Sequence, residues 1–220
     1  MNTDIARYNM IEQQIRPWEV LDGAVLTLLA AVRREDFVPP AQRALAFVDM
    51  QVPLPGGEFM LEPRVEARLL QELQLKGHEK VLEIGAGSGF MAALLAHSAQ
   101  QVHTLECQPA LAQMARENLR RSGITNVRVH EVTATEGARG LPGEAPFDAI
   151  VLSGSVAAVP QELLERLKVG GRLLAIVGEQ PIMRARLYTR AGDAAWSQVE
   201  HFDTVAPRLQ GFAETPRFHF

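Results

Sequence analysis

The chain has one cysteine, Cys107, in 220 residues. An intrachain disulfide is therefore excluded, and a structural zinc site, which takes several Cys or His ligands at short spacing, has no framework to use. A reducing compartment is the expected setting. No run of 18 apolar residues occurs, so a membrane-spanning helix has no candidate. Between Met1 and Val20, Asp4, Arg7, Glu12 and Arg16 break the stretch that a secretory signal would need to be apolar, and the cytoplasm is the expected location. Positive charge is not in excess either. The 22 Lys and Arg against 26 Asp and Glu give a net charge of -4, which offers no general attraction to nucleic acid or to an acidic membrane. The histidines, His78, His97, His103, His130, His201 and His219, show no two-ligand spacing beside an acid cluster, so no metal is expected. What is present is ordinary: 47% hydrophobic and 22% charged residues allow a sizeable core and exclude a disordered chain. The length suits one domain over 1–220.

Proline-marked loops join helices over the first third. Asp22 is placed to cap a helix carrying Val25, Leu26, Leu28, Leu29 and Val32, and Pro39-Pro40 ends anything helical after Phe37. The prolines and glycines of 53–62 predict a loop without regular structure. Pro63 then opens a helix whose Val65, Leu69 and Leu73 form an apolar stripe ending near Gly77. From Lys80 short apolar runs alternate with amphipathic helices, the pattern of a parallel sheet covered on both faces. Strands are expected at 81–84, 102–106, 127–132, 147–152 and 172–177, and helices at 90–97, 109–121 and 160–168. Alternation over 183–190 and 196–205, across the turn Ala191-Gly192-Asp193, predicts an antiparallel hairpin at the sheet edge. A helical cap and loop thus cover 1–77, an α/β core 78–178, and a hairpin with a tail 179–220.

The stretch Val81-Leu82-Glu83-Ile84-Gly85-Ala86-Gly87-Ser88-Gly89-Phe90 sets a glycine-rich turn between a buried strand and a helix. Backbone can approach a ligand closely there, and free N–H groups await a partner. A dinucleotide fingerprint would need glycine where Phe90 stands, and a phosphate loop would need Gly-Lys followed by Ser or Thr. A serine-hydrolase elbow fails at Ala86 and Phe90 on either side of Ser88. What remains is an acid on the strand, Glu83, and a second acid, Glu106, ending the next strand, where a ribose would lie and offer both hydroxyls. Glu83 can meet a positively charged amino group, directly or through water. An adenosine carrying an amino acid is the ligand these features suggest, and S-adenosylmethionine has that form. The plain alternatives are a solvated strand end at Glu106, a merely structural turn, and Cys107 buried as a small apolar group.

Glu83-Ile84-Gly85-Ala86-Gly87-Ser88-Gly89 resembles motif I of the class I S-adenosylmethionine-dependent methyltransferases. More of the chain, from about Asn9 to Gly178, resembles one branch of them, the protein-L-isoaspartate (D-aspartate) O-methyltransferases of protein repair. The likeness is carried by Val20-Leu21-Asp22, Arg34-Glu35-Asp36-Phe37-Val38-Pro39, Pro53-Leu54-Pro55, Ala145-Pro146-Phe147-Asp148-Ala149-Ile150, Gly170-Gly171-Arg172-Leu173 and Val177-Gly178, in that order. It implies an α/β fold: a seven-stranded Rossmann-like sheet with helices on both faces, a helical N-terminal cap and a C-terminal antiparallel hairpin. It implies S-adenosylmethionine held by Glu83, Gly85, Ala86, Gly87, Ser88, Gly89, Glu106, Cys107, Val132 and Thr133, and methyl transfer to the carboxylate of an isoaspartyl residue in a damaged protein or peptide.

Two places depart from the family pattern. Where the family has a Thr-Ile-Ser-Gln-Pro-like stretch whose hydroxyls help hold the reacting carboxylate, this chain has Phe59, Met60, Leu61 and Glu62 before Pro63. Phe and Leu donate no hydrogen bond, and a donor to a charged group is worth roughly 1.5–3 kcal/mol. Where the family's Gly-Asp pair receives the adenine amino group, Val132 and Thr133 stand, so a neutral oxygen must substitute or Glu131 must reach. Weaker cofactor binding is the expectation. A carboxylate acceptor is ionised at pH 7 and needs no general base, whereas a phenol or amine would need one, for which Glu58 or Glu62 is at hand. Three readings follow: an isoaspartyl carboxyl methyltransferase, a methyltransferase with another acceptor, and a cofactor-binding protein that has lost catalysis. No catalytic residue is assigned.

Overall fold

The computed structural model of the chain describes residues 2–214; His219 and the end of the tail lie outside them. Asn2 and Asp22 open the first two helices alike, each side-chain oxygen accepting from two backbone N–H groups of the first turn. These are α1 (Thr3–Met10), which continues through a π-turn (Ile11–Ile15), and α2 (Gly23–Ala31). The segment expected to be a loop instead forms a small hairpin. β1 (Val52–Pro53) pairs antiparallel with β2 (Phe59–Met60) around one 3-10 turn (Pro55–Gly57), and the N–H of Leu54 donates to the carbonyl of Glu58 at 2.8 Å. Gly56 at φ 76 supplies the reversal that the prolines alone would not allow. α3 (Pro63–Leu73) follows and stops at Gln74 in the left-handed conformation, before the expected Gly77.

The α/β core runs β3 (Lys80–Ile84), α4 (Phe90–Ser98), β4 (Gln101–Glu106), α5 (Pro109–Arg121), β5 (Val127–Glu131), α6 (Ala134–Ala138), β6 (Phe147–Val156), α7 (Gln161–Leu164), β7 (Leu167–Glu179), β8 (Ile182–Gly192) and β9 (Ala195–Thr204). They form one seven-stranded sheet of order β5-β4-β3-β6-β7-β8-β9, with parallel pairing from β5 to β7 and antiparallel pairing for β8 and β9. The α/β class, the N-terminal helices and the C-terminal hairpin are as the pattern implied. The chain leaves β3 toward β4 and β5, then returns to β6 on its other side. This reversal opens a crevice at the carboxyl end of β3.

Strand periodicity decides what faces that crevice. Val81, Val102, Ala149 and Val151 pack with α2, α3, α4 and α5 on one side of the sheet. Leu82, Ile84, Ile150, Leu152 and Leu173 pack on the other, beneath Ala138 of α6, Leu163 of α7 and Phe212. Because side chains alternate along a strand, Glu83 points to the same side as Val81, and its register partner Thr104 shares that side with Glu106. The helix expected over 160–168 ends at Leu164. Leu167, fully buried, is drawn into register with Phe147 as the first residue of β7. β6 runs four residues past the expected 147–152, with a register shift between Val151 and Ser155. No helix among the described residues is long and apolar enough to cross a membrane.

Candidate active site

β3 delivers the chain at Ile84 into the turn Gly85 to Gly89, and α4 leaves from it. The turn is packed too tightly for side chains at two points. A Cβ on Gly85 (φ 95) would lie 2.8 Å from Cδ2 of Leu209, and one on Gly89 (φ 84) 3.1 Å from Cα of Ala115 in α5. Glu106, buried at the tip of β4, binds the turn directly. Its Oε2 accepts from the Gly87 N–H at 2.9 Å, and its Oε1 accepts from the N–H groups of Cys107 at 2.9 Å and Gln108 at 3.0 Å. Glu83 is fully buried, accepting from Thr104 Oγ1 at 2.6 Å and from Ser153 Oγ at 2.7 Å. Burial pushes its carboxyl up to about 7, against the pull of the two hydroxyl donors and with a further push from Glu106.

A solvent-open cleft with about 620 Å³ of empty space lies against this turn. Gly85, Gly87, Glu106, Cys107 and Val132 line it. Glu83, Ala86 and Ser88 line a smaller adjoining hollow with Met60, Leu61 and Ser153, and Gly85 and Gly87 border both. Gly89 and Thr133 line neither. Gly89 caps α4. The Thr133 hydroxyl donates to Glu136 Oε2 at 2.7 Å, and the Thr133 N–H donates to the same oxygen at 2.8 Å, closing a capping box at the start of α6. Glu131 turns outward to Arg116 at 3.6 Å. Val132 alone of the three faces the cleft. The spacing Thr133-Ala134-Thr135-Glu136 is itself a capping signature, which explains where the hydroxyl goes.

On the other side, Phe59 is half-exposed at the cleft and Met60 and Leu61 are buried. The Leu61 carbonyl accepts from Arg34 Nη2 at 2.7 Å, and Glu62 pairs with Arg64 at 2.9 Å. The part of the site with no warning in the sequence is a C-terminal strap, residues 206–211. Pro207 O accepts from the Ser155 N–H at 2.7 Å, and the Leu209 N–H donates to Ser155 O at 2.9 Å, so the strap runs beside the end of β6. Leu209 then covers both Gly85 and Gly154.

A sheet of this order, with a glycine turn after its central parallel strand and a carboxylate at the tip of the next, defines the class I methyltransferase fold. Residues 6–205 match the model of the family Protein-L-isoaspartate(D-aspartate) O-methyltransferase (PCMT). A protein-L-isoaspartate O-methyltransferase from Methanoculleus marisnigri is 41% identical over 172 residues, covering 78% of this chain and 77% of the relative. Protein-L-isoaspartate O-methyltransferase 2 from Marinobacter nauticus is 40% identical over 210 residues, 95% and 94% of the two chains. A Plasmodium falciparum protein assigned to the same activity, solved with S-adenosyl-L-homocysteine, superposes with a TM-score of 0.79 over 96% of this chain and 99% of its own, at 19% identity. The chain belongs to the protein-L-isoaspartate (D-aspartate) O-methyltransferase family. It is a methyltransferase, and the family's donor, S-adenosylmethionine, is its cofactor.

Cys107 gives a direct probe of the cleft, being the chain's single cysteine. Burial, and then the Glu106 carboxylate, push its thiol up, so little thiolate exists at neutral pH. Alkylation is expected to be slow at pH 7, faster as pH rises toward 9, and suppressed by saturating S-adenosylhomocysteine. Equal rates with and without that ligand, followed by mass spectrometry, would place the cofactor away from Cys107.

Proposed function

We propose that the protein transfers a methyl group to the carboxylate of isoaspartyl residues in proteins or peptides, as a repair enzyme of the cytoplasm. Glu83, Gly85, Ala86, Gly87, Ser88, Gly89, Glu106, Cys107 and Val132 hold or shape the cofactor site. The observation that carries this reading is the buried Glu106 carboxylate, tied to the Gly87 N–H and bordering the cleft. The acceptor site left on its Oε2 suits a ribose hydroxyl. Glu83 faces the adjoining hollow, where an ammonium group would find a carboxylate already oriented by Thr104 and Ser153. Val132, Leu111 and Cys107 give the cleft apolar walls of the kind an adenine needs. Thr133, committed to its capping box, contributes backbone position and no hydroxyl.

S-adenosylmethionine brings a methyl group already activated on a sulfonium. The protein's work is to place the acceptor and keep water out. A carboxylate acceptor carries its own nucleophilic electrons at pH 7, so the lack of hydroxyls at 59–61 affects orientation and not proton removal. Phe59 and Leu61 also favour a second reading, an acceptor less charged than a carboxylate. An assay with methyl-labelled cofactor and an isoaspartyl peptide distinguishes them. Base-labile methyl ester is expected, and cofactor binding without any ester formation overturns the carboxylate acceptor.

The pH dependence of cofactor binding follows from Glu83. Between the usual 4.5 and about 7 the folded chain keeps a proton that the unfolded chain has lost. The ligand-free fold therefore loses stability as pH rises through that window. Ammonium binding needs the carboxylate, so affinity moves the other way. Calorimetry should show binding tightening from pH 6 to pH 8, with proton release at pH 6; a flat profile would remove Glu83 from contact with the amino group.

A further inference from the structure

Three segments of the chain that share no secondary structure meet at one carboxylate. Glu58, half-buried where the β1–β2 turn ends, accepts through Oε1 from Gln108 Nε2 at 2.8 Å and from Gln210 Nε2 at 2.7 Å. Gln108 heads α5. Its backbone N–H donates to Glu106 Oε1 at 3.0 Å, and its side-chain amide lies so close over Gly56 that a Cβ there would sit 2.0 Å from Gln108 Oε1. Gln210 follows Leu209, the strap residue that covers Gly85 and Gly154. No ion pair to Glu58 occurs among the described residues, so its charge is shared only with these amides, and hydrogen bonds to an ionised acceptor are the stronger kind.

We propose that Glu58 is a positioning residue for methyl transfer, clasping the strap and the acceptor-side hairpin together over the cofactor and linking that closure, through Gln108, to the ribose-binding Glu106. The inference rests on the cofactor placement given above and adds to it a coupling between the two sides of the cleft. Leu209 and Gln210 border the cleft beside the turn, so the strap cannot lift from a bound cofactor without Gln210 parting from Glu58. A cofactor seated on Glu106 holds Gln108 in place and with it the hairpin that borders the acceptor. The closed clasp therefore slows cofactor release and seats the acceptor-side hairpin at the same time.

The test uses the full chain and S-adenosylhomocysteine, its dissociation followed by stopped-flow displacement with no acceptor present. Glu58→Ala is expected to speed dissociation about tenfold, and Gln210→Ala to act in the same direction. The double variant should be no faster than Glu58→Ala, as for two residues acting as one unit. Glu58→Gln, which keeps an acceptor oxygen, should recover most of the wild-type rate. In turnover with an isoaspartyl peptide as acceptor, Glu58→Ala should raise acceptor KM while kcat stays within about twofold. Unchanged dissociation, multiplicative effects of the two variants, or a joint fall in kcat and melting temperature would each overturn the clasp. Failure of wild type to bind the ligand at all would instead overturn the cofactor site. Failure to methylate an isoaspartyl peptide would leave the dissociation result standing.

Discussion

Glu106→Ala is expected to weaken S-adenosylmethionine binding by about tenfold to a hundredfold in calorimetry. With Oε1 already taken by two N–H groups and Oε2 by one, a single acceptor site on Oε2 is left for a ribose hydroxyl, worth about 1.5–3 kcal/mol, and 1.4 kcal/mol is a factor of ten. The substitution also removes the acceptor for the N–H groups of Gly87, Cys107 and Gln108, so the glycine turn loses its tie to β4. Both effects act on the ligand in the same direction. Glu106→Gln separates them: the amide keeps one carbonyl oxygen for the backbone but lacks the charge and half the acceptor capacity, so its affinity should fall between wild type and alanine. If Glu106→Ala bound as tightly as wild type, the sugar would have to lie elsewhere.

The parts of the fold written in short-range periodicity were legible. Alternation and apolar runs located β3, β4, β5 and the hairpin of β8 and β9, and Asp22 announced its helix through the cap it forms. Glu83 and Glu106 were readable as a pair because one precedes the glycine turn and the other ends the next strand, and the register of those strands then sets them on one side of the sheet. Elements fixed by partners far along the chain were not legible. Leu167 reads as helical beside Glu162 and Arg166, which do form an i, i+4 pair, yet its burial against Phe147 makes it a strand residue. The strap has no pattern of its own, because Ala206 to Gly211 takes its course from Ser155, Gly154 and Ala134. Thr104, whose hydroxyl donates to Glu83, and Gln108, which joins Glu106 to Glu58, are ordinary strand and cap residues until the sheet is assembled.

Arg34→Met is expected to cost about 3–5 kcal/mol of stability, the range for breaking a buried ion pair by removing one partner. Arg34 is 1% exposed and gives every arm of its guanidinium to the protein. Nη1 meets the Glu66 carboxylate, Nη2 donates to Leu61 O at 2.7 Å, and Nε donates to Ala46 O at 3.0 Å. The group also lies 4.9 Å from the ring centre of Phe90, the first residue after the glycine turn. Methionine fills much of the volume but strands Glu66, itself 3% exposed, as an unpaired buried acid. For a chain of this size each kcal/mol moves the melting temperature by roughly 2–4 °C, so a fall near 10 °C should be seen by calorimetry. Arg34→Met with Glu66→Leu removes both charges and should regain most of that loss, as replacement of buried pairs by apolar residues commonly does. Acceptor binding should not return with it. Leu61 stands where the family pattern has a hydroxyl, and among the described residues Arg34 Nη2 holds its carbonyl, so the double variant should remain high in acceptor KM while melting near wild type. A double variant as unstable as Arg34→Met would show that the buried charges are not the source of the loss. One with normal acceptor KM would show that the hairpin is seated without Arg34.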